Sequence, residues 1–255
     1  MLEKTSNPAF SESAFKNVFN AYSQQNTMTL KGTANKSLIL LGVIFAAALV
    51  TWKMSFAGNA LVVPIMTVAL IVGTVFSFIT IFKPQKAKVT SVIYAIAEGL
   101  VLGAISAMYE MSTMNAESGS HGIVMNAILL TIALFALMLY LYKERIIQPT
   151  KKFTIVLVAA TGAIALVYLV DLIMAIFGSS MGFLHSNGPL GIGISLIIVA
   201  VAALNFILDF KNVENGVEQG APEYMEWYCA FGMMMTLVWL YLEVLRLLLK
   251  FNSRD

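Results

Sequence analysis

From Ser37 onward, apolar residues come in long, nearly uninterrupted runs, and polar residues gather in short breaks between them. Seven runs are distinguishable, over residues 37–56, 60–82, 89–109, 123–142, 153–177, 189–210 and 224–250. Each approaches the roughly 20 residues that a helix needs to cross about 30 Å of hydrocarbon. The breaks hold charge, as in Lys83-Pro84-Gln85-Lys86, Lys143-Glu144-Arg145 and the stretch from Lys211 to Glu223. None of the runs shows the period-two alternation of a transmembrane β-strand, so the expected fold is an all-α membrane protein, a bundle of seven transmembrane helices. Residues 1–36 read as a polar tail and residues 37–251 as the transmembrane domain, with no second domain.

The prolines agree with this division. Pro8, Pro84 and Pro149 lie outside the runs, while Pro64, Pro189 and Pro222 fall near a first helical turn, where a missing amide proton costs little. The tail is polar and mixed, with Lys4, Glu12, Lys16, Lys31 and Lys36, and lacks the pattern of a cleavable signal peptide. A short amphipathic piece around Phe10, Phe15 and Phe19 is suited to resting on a membrane surface.

Composition narrows the function classes. The chain is 59% hydrophobic and 12% charged, against roughly 25% charged in an average soluble domain. A formal charge of +2 offers no basic surface for a phosphate backbone, so nucleic acid is not an expected partner. The single cysteine, Cys229, excludes an internal disulfide framework and a cysteine-rich metal knuckle. His121 and His185 both fall in connectors, no serine pairs with a histidine at one depth, and neither a phosphate-binding glycine loop nor a dinucleotide fingerprint is present. The expectation is a protein that is not an enzyme and has no resident cofactor.

Lysine and arginine set the orientation, because cationic loops stay on the cytoplasmic side during insertion. The tail, the second-to-third connector (Lys83, Lys86, Lys88) and the fourth-to-fifth (Lys143, Arg145, Lys151, Lys152) carry them on one side. The opposite connectors hold Lys53 alone or no cation. This places the N-terminus inside and the C-terminus outside, although the cationic last segment (Arg246, Lys250, Arg254) would also suit a re-entrant end.

An ionisable side chain at membrane depth costs several kcal/mol without a partner, which makes each one a functional candidate. Glu98, Asp171, Asp209, Glu243 and Arg246 lie within the runs, and Glu226 stands near the start of the seventh. Counting about 1.5 Å per residue puts Glu98 near the midplane, facing the bundle interior; Asp171 and Glu243 come near the outer edge, and Asp209 and Glu226 within about 3 Å of the inner edge. The tiers resemble a ladder suited to cation passage or proton relay. The plainer reading is that the edge carboxylates reach water, and that Asp171 and Glu243 pair with Arg246. Asn205 and Thr236 share faces with Asp209 and Glu243, and either extend a polar lining or bond to their own helix. Ala95, Gly99, Gly103 and Ala107 form a stripe of small residues in the third run, the mark of a close helix–helix seam.

Ala97-Glu98-Gly99-Leu100-Val101-Leu102-Gly103 resembles the Glu-Gly-Leu-x-Leu-Gly segment of the Bax inhibitor-1 family. Leu208-Asp209-Phe210, the stretch from Ala221 to Tyr228, and that from Leu240 to Leu248 are similar to the sixth-to-seventh helix region of its bacterial members. The resemblance implies a seven-helix fold with the last helix central, in a plasma membrane (bacterial inner membrane), and a pH-dependent calcium leak. It also implies a two-acid sensor. Asp209 matches the first acid by its place in Leu-Asp-Phe. For the second, the Leu-Tyr-Leu-acid string selects Glu243, whereas counting from Pro222 puts Met235 or Thr236 at that level and leaves Glu226 as the remaining acid. Two carboxylates sharing a site cannot both ionise cheaply, so such a pair responds to pH.

The expected function is therefore a leak for calcium or another cation, gated by protonation of intramembrane carboxylates, with calcium bound only transiently. The alternative is a membrane regulator without transport, such as a modulator of a membrane protease.

Overall fold

A computed structural model of the protein describes residues 27–114, 122–179 and 181–252. The segment around Phe10, Phe15 and Phe19, the cations Lys4, Lys16 and Arg254, and His121 lie outside the described residues. Seven long helices follow one another: α1 (Leu30–Phe56), α2 (Val62–Phe82), α3 (Ala87–Met114), α4 (Ile123–Lys143), α5 (Lys151–Ile176), α6 (Pro189–Glu218) and α7 (Tyr224–Asn252). All are long and apolar enough to cross a membrane, and this is a multi-pass membrane protein. Among the described residues there is no strand, only an isolated bridge between Thr27 and Pro222.

Two helix boundaries differ from the expected runs in a way that matters. α1 starts at Leu30, which takes Lys31 and Lys36 out of the expected tail, and α6 continues to Glu218 through the expected connector. The apolar run measures hydrocarbon thickness; lysine and glutamate end the run but are good helix formers, so the helix goes on past it.

Lipid tails are as apolar as leucine, so helices in a bilayer associate through close packing and polar contacts rather than through a hydrophobic force. The small-residue stripe of α3 does this against α1. A Cβ on Gly99 would strike the Ile44 carbonyl, and one on Gly103 the Ala48 carbonyl. Ala95 and Ala107 are fully buried on the same seam, and Thr51 Oγ1 donates across it to the Leu100 carbonyl at 2.8 Å. α2 covers another side of α3, where Gly73 faces Ala97.

α7 packs against α1, α3, α4 and α6. Its residues Leu240, Tyr241, Glu243, Val244, Leu245 and Leu247 are buried over more than half of its circumference and Trp239, Leu242, Arg246 and Leu249 on the remaining side are half-buried, which together with the four packed helices makes it central. α2 and α5 are peripheral, lying mainly on α3 and α6. The turn between α3 and α4 is tied by Glu110, whose carboxylate accepts from Gly122 N at 2.6 Å and Val124 N at 3.0 Å. These amides open α4 and have no partner within it, so an anion there is doubly favoured.

Candidate functional site: a polar column beside the central helix

One stripe of α7 carries a polar or sulfur-bearing residue at every seventh position: Cys229, Thr236, Glu243 and Lys250. Seven residues make nearly two turns, so these side chains stand above one another. They face α6, with α5 beyond it, and three levels follow along this seam.

Asp209 occupies the first level. Because α6 runs on past its apolar run to Glu218, Asp209 lies about 14 Å from the helix end, inside the packed α6–α7 contact. Opposite it stands Thr236 of α7, whose hydroxyl interacts with the carboxyl. Asp209 Oδ2 is buried with no hydrogen-bond partner among the described residues. A buried polar oxygen left in this state costs about 1–3 kcal/mol, which marks it as a place where a proton or a cation can be accommodated. Thr236 also donates to its own helix at Gly232 O, 3.3 Å away. One turn from Asp209, Asn205 Nδ2 donates to Thr161 Oγ1 of α5 at 2.9 Å and to Val201 O at 2.8 Å. Asn205 and Thr236 thus each bond to their own helix and also meet a polar group of a neighbouring one.

Glu243 occupies the second level and is only 2% exposed. Tyr168 of α5 donates to it at 2.8 Å, and Arg246 pairs with it at 3.2 Å while donating to the Tyr168 oxygen at 2.6 Å. Asp209 and Glu243 do not meet. Thr236, the residue facing Asp209, is seven positions short of Glu243, a rise of about 10 Å along α7. The acid selected by the Leu-Tyr-Leu string is therefore not the partner of Asp209, and counting from Pro222 finds the residue that is.

Lys250, 3% exposed, occupies the third level. Its ammonium donates to Leu184 O at 2.7 Å, Gly191 O at 3.1 Å and Ser195 Oγ at 2.8 Å. An apolar pocket of about 280 Å³ between α5 and α6 is bounded by Tyr168, Leu184, Ile194 and Ile198, and neither Glu243 nor Lys250 lines it.

The other expected residues stand apart from this column. Glu98 is half-buried between α3 and α2, close to Gly73 and hydrogen-bonded to Tyr94; it faces α2 rather than the central helix. Tyr94 links it inward, packing edge-on against Phe231 of α7 at 5.1 Å between ring centres. Asp171 accepts from Met181 N at 2.9 Å, in the loop after α5. Glu226 is not solvated at the interface as the plainer reading had it. It is 3% exposed, forms an ion pair with Lys36 of α1, and accepts from Thr29 N at 2.7 Å and Thr29 Oγ1 at 3.0 Å.

Tyr168, Thr161 and Lys250 are the members of the column that sequence reasoning missed. The seven-residue spacing from Thr236 through Glu243 to Lys250 was a usable signal for Lys250; nothing in the apolar run of α5 distinguished Tyr168 or Thr161.

A family model described as Bax inhibitor 1 like matches residues 7–253, nearly the whole chain. Among curated proteins and among solved structures there is no significant match.

Proposed function

We propose a function from one premise, that the chain belongs to the Bax inhibitor 1 like family of membrane proteins: it is a leak for calcium or a similar cation, with passage set by protonation of carboxyl groups inside the bilayer. The observation that carries this reading is the buried Oδ2 of Asp209, without a hydrogen-bond partner among the described residues, at one end of a line of polar groups beside α7. Calcium is held by hard oxygen ligands, and a single carboxylate with one hydroxyl beside it makes a weak site suited to transit rather than storage. Protonation of Asp209 removes the charge that attracts the cation, so passage falls as that proton is gained.

The reading includes a plasma membrane, bacterial inner membrane, setting with the N-terminus inside. It is supported by the lysines of the α2–α3 and α4–α5 turns, which share one end of the bundle. In this orientation the Lys250 end of the column faces outward.

The test is calcium flux into vesicles carrying the reconstituted protein and an internal calcium dye, across a range of pH. Asp209→Asn is expected to lower the flux and flatten its pH profile, and Glu98→Gln, which lies away from the column, to do so to a smaller extent. Flux unchanged in both variants removes the mechanism.

A further inference from the structure

Lys250 is a cation buried without a counter-charge among its hydrogen-bond partners. An ammonium has three N–H donors, and all three are satisfied by neutral oxygens: the carbonyls of Leu184 and Gly191 and the hydroxyl of Ser195. These acceptors come from three places, the one-turn helix Gly182–His185 and two points in the first turns of α6, and converge on one position. Among the described residues no carboxylate forms a salt bridge with Lys250. Glu243, seven residues earlier on the same stripe, is taken by Arg246 and Tyr168.

A cluster of carbonyl and hydroxyl oxygens with no carboxylate is the kind of ligand set that replaces the water around a passing cation. Here the ammonium fills it, at the end of the polar column and in line with Asp209, Asn205 and Glu243. A fixed positive charge in that position repels any cation arriving from the same end. Burial of a lysine ordinarily demands a paired charge. Three converging neutral acceptors meet the hydrogen-bonding need and leave the charge offset only at a distance by Glu243, beside which Arg246 adds a like charge.

We propose that Lys250 is a tethered cation occupying a three-oxygen cation site, and that it plugs the end of the column at which α7 finishes. The plug rests on the cation passage proposed above. It makes Lys250 a determinant of leak rate that acts by charge and occupancy, separate from the titrating carboxyls. When the ammonium leaves, the vacated cage accepts a small primary ammonium ion, which alone among simple organic cations supplies the same three donors.

The experiment compares calcium flux in vesicles reconstituted with the intact protein, with Lys250→Ala, and with Ser195→Ala. Lys250→Ala is expected to raise flux by about tenfold or more, the effect of removing a like charge from the path of a divalent ion. Excess methylammonium is expected to return it toward the wild-type rate. Tetramethylammonium, which has the charge but no N–H donor, leaves it raised. Ser195→Ala, which keeps the lysine and removes one acceptor, gives a smaller rise in the same direction, and decides the matter should Lys250→Ala not fold. A flux in Lys250→Ala that stays at or below the wild-type rate overturns the plug, as does a rise that methylammonium does not reverse. Wild-type flux without any rise in the variants removes the plug and leaves the leak. No wild-type flux, with methylammonium-sensitive flux in Lys250→Ala, upholds the plug and removes the leak as a property of the native chain. No flux in any of the proteins removes both.

Discussion

Lys36 of α1 and Glu226 of α7, 190 positions apart in the chain, form an ion pair at the end of the bundle where both helices begin. The carboxylate also sits over the first turn of α1, accepting from the Thr29 amide at 2.7 Å, while Thr29 caps that helix by accepting from Gly32 N. An anion is favoured at that position by the unpaired amides of a helix start. Breaking a buried pair from one side leaves a charge behind without compensation, whereas removing both partners does not.

Glu226→Gln and Lys36→Met should each destabilise the protein, by about 2–3 kcal/mol given that Lys36 is partly exposed. The double variant should cost less than the sum. Thermal unfolding in detergent, arranged as a double-mutant cycle, reads the coupling; strictly additive losses would show that the two charges do not depend on one another.

The close α1–α3 seam makes a paired prediction about glycines. Gly103→Ala introduces a methyl against the Ala48 carbonyl and is expected to cost about 1–3 kcal/mol through forced separation of the helices. Gly42→Ala meets no atom within 4 Å and should be neutral or slightly stabilising. Equal melting temperatures for the two variants would contradict the seam.

Thr236 faces Asp209, so Thr236→Asp places two carboxylates at one level. When both are ionised they repel each other across the α6–α7 contact, and acidification relieves this by adding a proton. The variant should therefore lose stability on going from about pH 5 to about pH 8 to a greater extent than the wild type. A stability profile parallel to that of the wild type would show that the two side chains point apart.

Tyr168 is the link between peripheral α5 and the Glu243–Arg246 pair. Tyr168→Phe keeps the ring and deletes the hydroxyl, leaving the ion pair with one hydrogen bond fewer on each side. The expected loss is about 1–2 kcal/mol. Hydrogen exchange should detect faster opening of α5 while α3 and α7 keep their protection; uniform loosening of all the helices would argue that α5 is held by other contacts.

Removal of residues 1–26 leaves the capping contact at Thr29 and the Lys36–Glu226 pair in place, because both lie beyond the cut. If the tail serves regulation and the column serves passage, this truncation should leave vesicle flux unchanged. A truncation through residue 30 is a different experiment, since it also deletes the cap of α1.

Seven membrane crossings, their order, the polar turns between them and the α3 stripe that meets α1 were all legible in the amino-acid sequence. These follow from the solvent: hydrocarbon thickness dictates run length, and close approach demands small residues. The inventory of ionisable groups inside the bilayer was legible for the same reason. Which of them meet was not. Asp209 came to lie within a helix that outlasts its apolar run, and Thr236 rather than Glu243 became its neighbour through the register of α6 against α7. Glu226 found a lysine in α1, Glu98 turned toward α2, and Lys250 was enclosed by oxygens from Leu184, Gly191 and Ser195. A helix's own periodicity tells which side chains share a face. The rotation and sliding of one helix against another decide what that face meets, and those are settled by contacts between residues far apart in the chain, visible only once the helices are packed.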